Sequence, residues 1–238
     1  MTIDELMISA PVVTKEMATE FVRRGDECMT ADSESQLTAC LLLALRSASL
    51  LCSMGLLMKP STRDSWDVLA RAFMESRDLL ISFRFDDQGT RRKVKRWFEG
   101  GKDSTWKAEH KKCERFLSSI GGERLELGSR WSMFSALSHP TVHAARHSTA
   151  MVVSWVTGRL KVENFAETMT PKVADYLTCV NSLIVATTLD LPGWVSLGCD
   201  RNRMPHVKQF QTSATLVVTP ILQQTQDNKL PRGSYRSE

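Results

Sequence analysis

The residues best suited to chemistry lie late in the chain. Arg201-Asn202-Arg203-Met204-Pro205-His206 sets an arginine, a small polar side chain and a histidine close together. Cleavage of RNA by its own 2′-hydroxyl needs a proton acceptor with a pKa near neutrality, which imidazole supplies. It also needs a cation beside the charge that develops on phosphorus, and guanidinium offers a bidentate one. On that chemistry His206 is the general acid/base, Arg201 steadies the phosphate and Asn202 is their polar companion. The same residues also fit an exposed loop, because Pro205 directly precedes His206 and an interior proline breaks helical hydrogen bonding.

A second cluster is Ser138-His139-Pro140-Thr141-Val142-His143, followed by His147. If Pro140 opens a helix, the three histidines share one face. An H-x-x-x-H pair can hold zinc. Here Ala144 stands where a zincin carries its catalytic glutamate, and no third ligand is marked, so no metal is expected. A polar cluster anchoring a helix start is the plainer reading. Earlier in the chain, Asp67, Arg71 and Glu75 follow at i, i+4 and i+8. That spacing alone makes a surface ion-pair ladder of about 0.2–0.5 kcal/mol per pair. Arg71, Glu75, His139 and His143, facing one another across two helices, form the alternative active centre.

Charge is uneven along the chain. The net charge is +4, yet residues 91–116 hold ten Lys or Arg against four acids, so this stretch carries +6 and the remainder −2. Such a field attracts a phosphate backbone. Arg91, Arg92, Lys93, Lys95 and Arg96 are the nucleic-acid-binding candidates, with RNA the partner. Trp97, Phe98, Trp106 and Phe116 interleave with these charges and could stack on bases. Aromatics at this spacing equally form the buried side of short amphipathic helices.

The order Arg, small polar residue, three residues, His resembles the signature of the HEPN superfamily. These are helical-bundle proteins that include metal-independent ribonuclease toxins. The resemblance implies that Arg201 and His206 converge at a dimer groove and act on the RNA phosphodiester, hence a homodimer. A broader likeness, over roughly residues 60–150, rests on DSWDVLARAFMESRDLL and WSMFSALSHPTVHAAR. It is similar to uncharacterised bacterial helical proteins near the HEPN-like and abortive-infection groups, with Arg71, Glu75, His139 and His143 at the matching positions. This broader likeness implies fold more than activity; the HEPN-like resemblance implies a toxin or phage-defence role. A non-catalytic helical interaction or regulatory module is the alternative.

Other templates are missing. There is no G-x-x-x-x-G-K-[ST], no G-x-G-x-x-G and no G-x-S-x-G, so neither a nucleotide cofactor nor a serine-hydrolase elbow is expected. With 238 residues, 42% apolar and 24% charged, the chain is not wholly disordered, collagen-like or disulfide-dense. Six cysteines without a C-x-x-C pair, and an acidic N-terminus, point to a reducing, cytoplasmic location.

The elements that must position these groups read as helical. A first helix is expected from Thr14 to about Met29, with Pro11 before it and Thr14 as its cap. Ser33 or Ser35 caps an apolar helix from Leu37 to Met58. That segment is long enough to span a bilayer. Arg46 near its middle would cost about 2.5–3.5 kcal/mol there, so a core helix is expected and no membrane. Ser61 or Thr62 caps a third helix to about Phe85, with Val68, Leu69, Ala72, Phe73, Leu79, Leu80 and Phe83 on its apolar side and Asp64, Asp67, Arg71, Glu75 and Asp78 along the other. Basic helices follow at 90–99 and 103–119, then one from Leu125 to Leu137. Residues 149–165 suit a small β-hairpin. Thr170-Pro171 opens a helix with proline first, and a last helix covers about 203–223. The expected fold is mostly α, an antiparallel helical bundle in one domain over 1–223, around the 37–58 and 172–190 pair, with 224–238 a disordered polar tail.

Overall fold

The computed structural model describes residues 1–58, 63–99, 163–214 and the isolated positions 110, 113 and 115. Among them the chain is a mostly α helical bundle without a strand. The helices are α1 (Ile3–Ala31), α2 (Gln36–Leu56), α3 (Arg63–Phe83), α4 (Gln88–Phe98), α5 (Glu163–Thr188) and α6 (205–214). The expected helix 125–137, most of 103–119 and of the hairpin, the tail 224–238, and His139, His143 and His147 lie outside the described residues.

α1 starts eleven residues before Thr14 for a local reason. Thr2 and Glu5 form a reciprocal capping box: Glu5 N–H donates to Thr2 Oγ1 at 3.2 Å, and Thr2 N–H donates to Glu5 Oε2 at 2.7 Å. The helix runs through Pro11, whose ring is exposed, because Leu6, Ala10, Val13, Met17 and Phe21 keep one continuous buried stripe past it. One lost backbone bond does not outweigh that burial. Thr14 is therefore interior, its hydroxyl donating to the Ala10 carbonyl at 2.8 Å.

Ser35 caps α2 through the Thr38 amide. α2 is central: it packs most extensively on α1 and α3 and also meets α4 and α5. Among the described helices, α2 alone is long and apolar enough to cross a membrane. Within the bundle it buries Ala39, Cys40, Leu43, Ala44, Ala48, Leu51 and Met54, and Arg46 donates from Nε to Ser76 Oγ at 3.1 Å. Gln36, at the start of α2, donates to the Phe83 and Phe85 carbonyls at the end of α3, so these neighbours run antiparallel.

α5 begins earlier than Pro171. Residues 163–165, read as the end of a hairpin strand, are its first turn, and Pro171 lies inside it. The buried run Ala174, Leu177, Val180, Leu183 and Ile184 explains the choice: its helical period outweighs the short alternation of LKVENF. Two ion pairs bracket α5 against α3. Near one end Lys172 Nζ donates to Asp67 Oδ1 and lies 4.6 Å from the Trp66 ring centre. Near the other, Arg84 meets Asp190 at 2.7 Å. These two helices therefore lie side by side in the same sense. The surface ladder on α3 is thereby divided. Asp67 and Asp78 are buried, only Arg71 and Glu75 keep their pairing, and Val68 is exposed instead.

Asp87 caps α4 by accepting from the Thr90 amide and hydroxyl, both at 2.8 Å. Val94 is buried, and Trp97 packs edge-on against Phe83 at 5.9 Å and Phe98 at 5.1 Å. These aromatics serve the core. Arg91, Arg92, Lys95 and Arg96 point outward, while Lys93 is half-buried.

Candidate functional site

The segment carrying Arg201 and His206 is held by a fully buried arginine. Arg84, just after α3, donates to the Ala186 carbonyl at 2.8 Å, the Val195 carbonyl at 3.1 Å and Asp190 Oδ1 at 2.7 Å. Its guanidinium carbon lies 4.5 Å from the Trp194 ring centre. Burial drives its pKa below the usual arginine range, against the pull of Asp190. The backbone adds an isolated bridge between Phe85 and Trp194, with Val195 N–H donating to the Arg84 carbonyl at 2.7 Å. Pro192-Gly193 makes the turn that returns the chain. Trp194 N–H closes it on the Leu191 carbonyl at 3.0 Å, and Gly193 has φ +76°, a conformation that favours glycine.

The chain next docks on α1. Asp200 N–H donates to Glu20 Oε1 at 2.8 Å, and Arg24 Nε donates to the Leu197 carbonyl at 3.2 Å. Arg23, bonded to Glu20, holds that buried carboxyl below its ordinary value despite desolvation. Arg201–Arg203 form a 3₁₀ turn capped by Asp200, which accepts from the Asn202 amide at 2.9 Å. α6 opens at Pro205, where the missing N–H would have had no partner in any case. The proline that argued against a helical His206 is thus its starter residue.

His206 is 56% exposed and tied to Glu16 of α1. Glu16 accepts from the His206 amide at 3.2 Å through Oε2, and its Oε1 lies 2.5 Å from Nδ1. The carboxylate thus caps α6 and orients the imidazole. Nε2 makes no hydrogen bond to described residues and is the nitrogen left for a reacting proton. Arg201 turns elsewhere: Nη2 donates to the Thr188 carbonyl at the C-terminal end of α5. There it lines an open groove of about 870 Å³ with Asn202, Lys208, Gln211 and Thr212, over Met204 and Val207.

The structure brings Arg201 and Asn202 into one groove but sets His206 beside it. The reason is helical period: Lys208, Gln211 and Thr212 share one face of α6, and His206 lies about 200° round from Lys208. Glu16 and Lys208 were missed from the sequence. Glu16 carries no local signal, being one acid on a long amphipathic helix, whereas Lys208 follows His206 closely enough to have been found.

Of the alternative set, Arg71 Nε donates to Glu75 Oε1 at 2.8 Å. Glu75 and Asp78 line a cavity of about 330 Å³ with Arg46, Ser76 and Trp97. Beside it is a buried group that sequence reading did not find. Asp78 accepts from Arg77 Nε at 2.9 Å through Oδ1, its Oδ2 pairs with His110 Nδ1, and Cys113 Sγ donates to its carbonyl. Burial works against the Arg77 charge, but the adjacent Asp78 carboxylate outweighs it and raises the pKa. Arg77 Nη1 is buried without a hydrogen-bond partner among the described residues. Among the described residues no three His, Cys, Asp or Glu side chains cluster as a metal site. Comparison of the chain with family models, curated proteins and solved structures finds no match.

Proposed function

We propose that this is an RNA-binding helical protein that cleaves the phosphodiester backbone without metal. Arg201, Asn202 and Lys208 hold the backbone in the 870 Å³ groove, and the exposed cations of α4 (Arg91, Arg92, Lys95, Arg96) extend the attraction. His206 exchanges the proton with the 2′-hydroxyl or the leaving oxygen. The carrying observation is the Glu16–His206 pair: a carboxylate fixes Nδ1 and leaves an exposed ring on the helix that also supplies the groove. The resemblance to HEPN ribonucleases supports this reading through the order of Arg201, Asn202 and His206 along the chain alone.

A non-catalytic helical module is the second reading. It is favoured by the different directions of Arg201 and His206, toward Thr188 and Glu16 respectively. The test is degradation of single-stranded RNA in EDTA by the purified chain, with binding measured in parallel. Cleavage lost in His206→Ala and Glu16→Gln, with binding retained, supports the nuclease. Binding without cleavage in any variant supports the module. Loss confined to His139→Ala moves the centre to Arg71 and Glu75. A chain that neither binds nor cleaves RNA refutes the proposal.

A further inference from the structure

α1 buries one face in the bundle and presents a second, ordered face to solvent. Met1, Glu5, Ile8, Val12, Lys15, Thr19, Val22, Asp26 and Met29 recur at alternating steps of four and three, and every one is exposed. That spacing sets them on one stripe along the helix, a surface along which a second helix can lie. Its apolar members are not marginally exposed: Val12 is 45%, Val22 49% and Met29 52% accessible. Three charges lie on the stripe, Glu5, Lys15 and Asp26, and none has an ion-pair partner among the described residues; Glu5 is engaged in the Thr2 capping box.

We propose that this face is the interface between two copies of the chain, with their α1 helices antiparallel. Charge complementarity selects the antiparallel orientation, and length of overlap selects the register: opposing Lys15 to Glu5 overlaps only residues 3–17 of α1, whereas opposing Lys15 to Asp26 overlaps residues 10–31. A parallel, in-register pair sets Lys15 against Lys15 and Asp26 against Asp26. An antiparallel pair centred between Glu20 and Phe21 sets Lys15 against Asp26 of the second copy. The same register opposes Val12 to Met29 and Thr19 to Val22. Two-fold symmetry repeats each contact, giving two ion pairs flanked by apolar contacts. The overlap spans residues 10–31, roughly 33 Å of helix at 1.5 Å per residue. This inference rests on α1 alone and holds whether or not the protein cleaves RNA.

The test is sedimentation equilibrium of the full chain over a wide concentration range. The wild type is expected to form a dimer. Lys15→Glu and Asp26→Lys, each placing like charges opposite, are expected to weaken it about tenfold or more. Lys15→Glu with Asp26→Lys in one chain restores opposite charges and is expected to restore the dimer. Val12→Glu with Val22→Glu is expected to give a monomer. All four positions are exposed, so an unchanged circular dichroism spectrum and melting temperature accompany these results. A wild type that stays monomeric, or a dimer indifferent to the Val12 and Val22 changes, overturns the interface. A charge-swapped chain no tighter than the single variants overturns the register.

Discussion

Replacing Arg84 by methionine sets two large effects against each other. The pKa of Arg84 is lowered mainly by burial, so the site disfavours its charge. An apolar side chain of similar length relieves that cost, and buried ion pairs replaced by apolar groups are often neutral or better. Arg84, however, is bound chiefly to backbone. Arg84→Met leaves the Ala186 and Val195 carbonyls without their donor, and hydrogen bonds from charged groups contribute about 1.5–3 kcal/mol each. Asp190 is 60% exposed and rehydrates, so its loss costs under about 1 kcal/mol. We expect a net loss of about 3 kcal/mol, or roughly 10 °C in melting temperature for a chain of this size. Urea unfolding should show a lower midpoint at unchanged slope. Hydrogen exchange should quicken at the Asp86 and Val195 amides, which bridge the α3 end to the returning loop. Arg84→Lys, with one compact donor head, should recover less than half the loss. A methionine variant as stable as the wild type would mean that desolvation governs the site and that Arg84 does not hold the segment bearing Arg201 and His206.

Further predictions follow from other contacts. A Cβ at Gly55 would sit 2.8 Å from the hydroxyl of buried Tyr176, so Gly55→Ala should cost about 1–3 kcal/mol. Tyr176→Phe in that background should recover part of the loss in thermal melts, and a neutral Gly55→Ala would contradict the close α2–α5 approach. The Glu20 carboxyl is held below its ordinary 4.5, chiefly by Arg23, so its stabilisation is complete above that value and fades as the pH falls through the lowered one. Glu20→Gln should flatten the acid limb of a stability profile below about pH 4.5, and a steeper limb would refute the assignment. Burial pushes the Cys40 thiol up to about 12 and the Cys199 thiol up to about 11, whereas Cys52 is exposed. Titration of the native protein with a disulfide reagent at neutral pH should show one fast thiol, lost in Cys52→Ser. A second fast thiol traced to Cys199 would show that the loop opens readily.

What could be read from the residues alone is what depends on neighbours in the chain. The helical period of α2 and α5, the Ser35 cap and the basic stretch at α4 all act within a few residues. Where two local signals competed, the wrong one was sometimes favoured: Pro11 and Pro171 marked breaks, but longer buried stripes ran through both. The acidic line on α3 shows the boundary clearly. Its spacing describes a solvated ladder, yet Asp67 is buried against Lys172 and Asp78 against Arg77 and His110. The partners Lys172 and His110 lie far along the chain, and no local pattern names them. The pairing of Glu16 with His206 across most of the chain's length has the same character. Local sequence determined which segments coil and which faces are apolar, because short-range hydrogen bonding and periodic burial act on consecutive residues. Tertiary structure alone decided which charges lose water and meet, because desolvation depends on what every other helix places beside them.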